Sequence, residues 1–158
     1  MKSATLSELK KELSSLKPPQ LVELCIQLAK YKKDNKELLT YLLYESGNEQ
    51  AYVQSIKSEM DELFEEVNTD NAYYAKKGFR KILRTITKYI KYSGNKETEI
   101  TVLIHFCEGM KNSGVAISKN TVLTNLFEGQ IKKIKKAIDG LHEDLQFDYT
   151  SQIPGLHE

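Results

Sequence analysis

Apolar side chains return every three or four positions along most of this chain, the spacing of one face of an α-helix rather than the alternation of a strand. Leu6, Leu9, Leu13 and Leu16 share a face, and Thr5 with Glu8 forms a capping box in front of them. Pro18 and Pro19 open a second helix carrying Leu21, Leu24, Cys25, Leu28 and Tyr31. A third is expected from Asp34, with Glu37 completing a capping box, and it contains Leu38, Leu39, Leu42 and Leu43 before a left-handed stop at Gly47. The fourth spans Glu49 to Val67 with Val53, Ile56, Met60, Leu63, Phe64 and Val67 inward. The fifth spans Asn71 to Tyr92 with Ala75, Phe79, Ile82, Leu83, Ile86, Tyr89 and Ile90 inward, and Gly94 ends it.

Residues 99–106, Glu-Ile-Thr-Val-Leu-Ile-His-Phe, are rich in β-branched side chains and admit either a strand or a helix. The helical spacing of Ile100, Leu103, Ile104 and Cys107 favours a sixth helix from Glu97 to Lys111. A seventh is expected from Asn120 to Gln146. Between residues 20 and 153 there is no proline, which argues against an all-β chain. The fold class expected is all-α: about seven helices in an antiparallel bundle or a short right-handed stack of helix pairs. Residues 1–146 read as a single domain and residues 147–158 as an irregular tail containing Pro154-Gly155.

The opening stretch combines Leu9-Lys10-Lys11-Glu12-Leu13, Gln20-Leu21-Val22-Glu23-Leu24 and Lys36-Glu37-Leu38-Leu39-Thr40-Tyr41. Over residues 6–45 it resembles a family of small all-helical bacterial proteins defined only as a domain of unknown function. That resemblance implies an all-α fold and a bacterial, cytoplasmic setting, and supplies no functional residue.

Composition narrows the function classes. The 158 residues carry 23 basic and 22 acidic side chains, a net charge of +1 that points to no particular partner. The first residues contain no continuous apolar segment of a secretory leader, and the longest apolar runs fall far short of the ~20 residues that span a bilayer, so a cytoplasmic protein without a membrane association is expected. Cys25 and Cys107 lack CxxC spacing and read as two buried thiols.

No phosphate-binding glycine loop, nucleophile elbow or metal-ligand spacing is present. His105 and Glu108 share a helical face, but one such pair is short of the three or four ligands a metal needs. His142 reads as a helix end beside Glu143 and Asp144, and His157 lies in the tail. The expectation is therefore no enzyme, no cofactor and no metal.

Two surfaces stand out instead. Residues 45–70 hold eight acids against Lys57 alone, whereas residues 71–96 hold eight bases and no acid. Lys77, Arg80, Lys81, Arg84, Lys88 and Lys91 cluster opposite the apolar stripe of the fifth helix, a ridge able to track phosphates, with Tyr73, Tyr74 and Tyr92 as candidate stacking surfaces. The competing expectation is neutralisation by the acidic fourth helix, with Glu65 and Glu66 near Lys76 and Lys77, and Glu62 near Arg80. The second surface is a heptad seam, Phe127, Ile131, Ile134, Ile138, Leu141 and Leu145, with Lys132, Lys133, Lys135 and Lys136 outside it. It packs either within the chain or on a second copy or partner helix. The function expected is a non-catalytic protein-interaction module with self-association as one form; the alternative is a nucleic-acid-binding accessory protein.

Overall fold

The computed structural model describes residues 1–153 and contains eight α-helices and no strand among them. They are α1 (Leu6–Ser14), α2 (Pro18–Tyr31), α3 (Lys33–Thr40), α4 (Glu49–Glu65), α5 (Ala72–Ser93), α6 (Lys96–Asn112), α7 (Thr121–Asp139) and α8 (Glu143–Thr150), with a π-helical turn over Tyr41–Glu45 and a short 3-10 turn over Ile117–Lys119. The all-α expectation holds. Within the stretch read as one domain the chain separates into two compact units, Met1–Leu43 and Tyr44–Glu158.

In the first unit the capping box at α1 forms as its spacing predicts. The Thr5 amide donates to Glu8 Oε2 at 2.7 Å, and the Glu8 amide donates to Thr5 Oγ1 at 3.3 Å. Pro18 and Pro19 fill the first turn of α2, where their missing N–H groups cost nothing. Asp34, expected to open α3, lies inside its first turn instead, because the helix starts one residue earlier behind an extended Lys32. Gly47 does not adopt the left-handed conformation expected of it; among the described residues only Gly94 and Gly114 have positive φ. The π turn carries the backbone past Thr40 instead. α2 packs along α3, and Asn35 Nδ2 closes their junction by donating to the Leu28 carbonyl at 2.8 Å.

The second unit is built around α6, which packs against α4, α5 and α7. Ile100, Val102, Leu103, Ile104, Phe106, Cys107 and Met110 of α6 are all buried. A helix surrounded on nearly every side needs apolar residues nearly all round, so residues 99–106 look strand-like in sequence yet are helical. Around α6 lie Ile56 and Met60 of α4, Phe79, Ile82 and Ile86 of α5, and Leu123, Phe127, Ile131, Ile134 and Ile138 of α7. Gly109 lets α4 approach closely: a Cβ there would lie 2.3 Å from the Phe64 ring, which sits 5.9 Å from the Phe79 ring and 5.7 Å from that of Phe106.

Polar anchors tie the elements of this unit together. Glu49, at the start of α4, accepts from Ser93 and from buried Thr98 Oγ1, the latter at 2.6 Å. Tyr52 Oη donates to the Tyr89 carbonyl and Tyr89 Oη to Glu59, each at 3.0 Å.

Two boundary expectations are corrected at the far end. The seventh helix stops at Asp139 rather than at Gln146, and α8 then runs through the expected start of the irregular tail. Gln146 Nε2 donates to the Leu141 carbonyl at 2.8 Å, satisfying backbone exposed by the break. The apolar spacing continues through Leu141 and Leu145, although the backbone between Asp139 and Glu143 is not helical. The rest of the expected tail, residues 154–158, lies outside the described residues.

Candidate functional site

The basic ridge forms on α5 as its spacing predicts. At 100° per residue, Lys77, Arg80, Lys81, Arg84, Lys88 and Lys91 fall within an arc of about 100°, opposite buried Ala75, Phe79, Ile82 and Ile86. From Lys77 to Lys91 the ridge is about 21 Å long at 1.5 Å per residue. All six side chains are exposed except Lys88, which is half-buried and has an interaction partner.

The expected neutralisation by α4 is slight. Lys81 meets Glu66 at 3.9 Å with both side chains mostly in solvent, an arrangement worth about 0–1 kcal/mol. Lys77, Arg80, Arg84 and Lys91 carry no ion pair among the described residues. Three acids of α4 are engaged elsewhere: Glu49 with Ser93 and Thr98, Glu59 with Tyr89, and Asp61 with His105. Lys76 lies over the Tyr73 ring at 5.3 Å.

The ridge is flanked by two recesses. One of about 740 Å³ runs between α5 and α7 and is lined by Arg80, Lys81, Arg84, Lys88 and Lys91 together with Lys133. The other, about 340 Å³, lies on the α4 side and includes Tyr74, Lys77, Lys81 and Arg84. Lys133 enters this site from α7. Sequence reasoning placed it on an outer face; the missed signal is that Leu126 and Lys133, seven residues apart, share one side of the helix and both face α5. Tyr73 and Tyr74 are exposed and meet edge to face at 5.4 Å, whereas Tyr92 is half-buried and packs near Tyr89.

The heptad seam goes the other way. Phe127, Ile131, Ile134 and Ile138 are buried within the second unit, largely against α6, so this part of the seam is not a free surface. Leu141 is half-buried and Leu145 is 36% exposed, and both lie beyond the end of α7.

Most of the exposed leucine, isoleucine and valine surface lies in the first unit, where sequence spacing expected packed faces. No side chain of α1, α2 or α3 is buried. Leu6, Leu9 and Leu13 of α1 and Val22, Ile26, Leu28 and Tyr31 of α2 are exposed. An apolar groove of about 210 Å³ lies between α2 and α3, lined by Cys25, Leu28, Ala29, Leu38, Leu39 and Leu42. Cys25 is accordingly exposed rather than buried as expected.

The remaining chemistry-bearing residues serve structure. His105 Nε2 lies 2.6 Å from Asp61 Oδ1 and joins α6 to α4, with Glu108 at 3.8 Å from Nδ1. Cys107 is fully buried, and burial pushes its thiol up to about 12, aided by the Glu108 and Glu128 charges. Among the described residues no three or more His, Cys, Asp and Glu side chains are grouped to hold a metal ion, and no helix is long and apolar enough to cross a membrane.

Comparison with protein-family models, with curated proteins and with solved structures finds no match for this chain. The family resemblance of residues 6–45 therefore stands on its leucine-and-charge pattern alone.

Proposed function

We propose that this protein is a non-catalytic helical interaction module whose first unit docks on a second copy of the chain. The leucine face of α1 from one copy fills the groove between α2 and α3 of the other, and the exchange is reciprocal.

The carrying observation is α2. Leu21, Val22, Leu24, Cys25, Ile26, Leu28, Ala29 and Tyr31 cover about 220° of its circumference at 100° per residue, yet none of them is buried. A helix this apolar belongs in an interior, and α3 covers only one side of it. A unit of about forty residues also buries too little surface to be well stabilised alone. The shape of the missing cover is present in the same unit: α1 makes no extended packing contact with another helix and presents Leu6, Leu9 and Leu13 in one line. The polar groups that would serve chemistry are committed elsewhere, His105 to Asp61 and the Cys107 thiol to the core.

Light scattering of the full chain at two concentrations tests the proposal. A dimer is expected at the higher concentration. Leu9→Glu with Leu13→Glu, or Leu28→Glu in the groove, should each give a monomer with the helix content of the second unit retained. Burying a leucine contributes about 1.5–3 kcal/mol, so replacing it by a charged side chain should weaken association by tenfold or more. A wild-type chain that stays monomeric at both concentrations overturns the proposal.

A further inference from the structure

We infer that the α5 ridge and the recess between α5 and α7 form a binding site for single-stranded nucleic acid, with Lys133 closing the far wall. This goes beyond the docking reading and does not depend on it, since every residue involved lies in the second unit.

Charge and shape arrive by independent routes. The bases of α5 recur every three or four residues, which keeps them in line along about 21 Å of helix. Packing of α7 beside α5 then turns a convex ridge into the wall of a trough, and Lys133 supplies positive charge from a second element. A strand lying in the trough meets Arg80, Arg84 and Lys91, which no acidic side chain occupies, on one side and Lys133 on the other. Phosphate recognition by a basic surface of this kind is sequence-independent.

The single strand is favoured over a duplex by what accompanies the bases. Tyr73 is 59% exposed and lies on the same angular line of α5 as Lys77 and Lys91, one turn before Lys77. Tyr74 stands in the wall of the second recess, and Leu83 and Leu126 give the larger one apolar surface. Rings and apolar patches between phosphate contacts receive unpaired bases; the stacked interior of a duplex offers them none.

The test measures binding of the full chain to fluorescent oligouridine and oligodeoxythymidine of about twenty nucleotides, and to a duplex of equal length, at 50 and 200 mM salt. With about six phosphates neutralised, log K against log salt should slope near −4 at ~0.7 per phosphate of a single strand, so the higher salt should weaken binding about 300-fold. Arg80→Glu with Arg84→Glu should weaken binding by tenfold or more. Lys133→Glu should reduce the slope by about 0.7. Lys135→Glu, about 160° round α7 from Lys133, changes the net charge equally and should leave the slope unchanged. Tyr73→Ala with Tyr74→Ala should weaken single-strand binding by about tenfold at unchanged slope. Comparable oligouridine and oligodeoxythymidine binding supports recognition through phosphate and stacking. Duplex binding as tight as single-strand binding, an equal effect of Lys133→Glu and Lys135→Glu, or no binding at 50 mM salt overturns the inference.

Discussion

Gly109→Ala gives the sharpest test of how the second unit is packed. Two effects oppose each other. Alanine in a helix interior is favoured over glycine by about 1 kcal/mol. Against that, the new Cβ would sit 2.3, 2.6 and 2.7 Å from Cε2, Cζ and Cδ2 of Phe64, where carbon atoms prefer about 3.5–4.0 Å. The ring must withdraw by more than about 1 Å, which disturbs its packing with the rings of Phe79 and Phe106 at 5.9 and 5.7 Å. Overpacking of this kind costs about 1–3 kcal/mol, which outweighs the propensity gain over most of its range. Gly129 supplies the control: it lies inside α7 with no atom within 4 Å of its Cβ position, so Gly129→Ala should stabilise by about 0.5–1 kcal/mol. Urea unfolding followed by far-ultraviolet circular dichroism should place Gly109→Ala about 1–3 kcal/mol below Gly129→Ala. Adding Phe64→Leu should recover part of the loss, because the shorter side chain vacates the contested space. Equal stabilisation by the two alanines, or no relief from Phe64→Leu, would refute the reasoning.

Two further outcomes are expected. Cys107, buried and with its thiol pushed up to about 12, should resist alkylation at neutral pH until the chain unfolds, while Cys25 should react promptly in dilute protein and more slowly as dimer closes over its groove; thiol counting by mass spectrometry checks both. The Thr5 amide, helped by the Thr5 hydroxyl, holds the Glu8 carboxyl below its ordinary range, so the capping box stabilises α1 fully above that range and the contribution disappears as pH falls through the lowered value; the Glu8 carboxyl chemical shift against pH should titrate low, and Thr5→Ala, which removes the hydroxyl but keeps the amide, should return it only part of the way.

Helix identity was legible because apolar spacing reports which side of each segment faces an interior, and that is what made α5 and its opposite ridge readable from residue numbers alone. The same signal misleads where burial and backbone part company. α6 looked partly strand-like because it is enclosed on almost every side. The 4, 3, 4 spacing through Ile134, Ile138, Leu141 and Leu145 concealed the end of α7, because it continues past Asp139 although only Ile134 and Ile138 of the four are buried. Spacing also leaves open what covers a face: the leucines of α1 and α2 follow the same rule as the isoleucines of α7, yet the former are exposed and the latter buried. Lys133 joined the ridge only through the packing of α7 beside α5, a relation between distant segments that composition does not record. Neither was the fate of the α4 acids written in their charge, since Glu49 accepts from Thr98, Glu59 from Tyr89, and Asp61 meets His105.

The reciprocal seating of α1 in the α2–α3 groove is tested most directly by disulfide trapping. A chain carrying Leu9→Cys retains Cys25 in the groove wall as the partner thiol, while Cys107 stays buried. Equal amounts of nitrogen-15-labelled and unlabelled chain are mixed, oxidised and digested, and the peptides joined through residues 9 and 25 are weighed. Pairs of one labelled and one unlabelled peptide are the result the account predicts; pairs that are only doubly labelled or doubly unlabelled would place α1 in the groove of its own chain and contradict it.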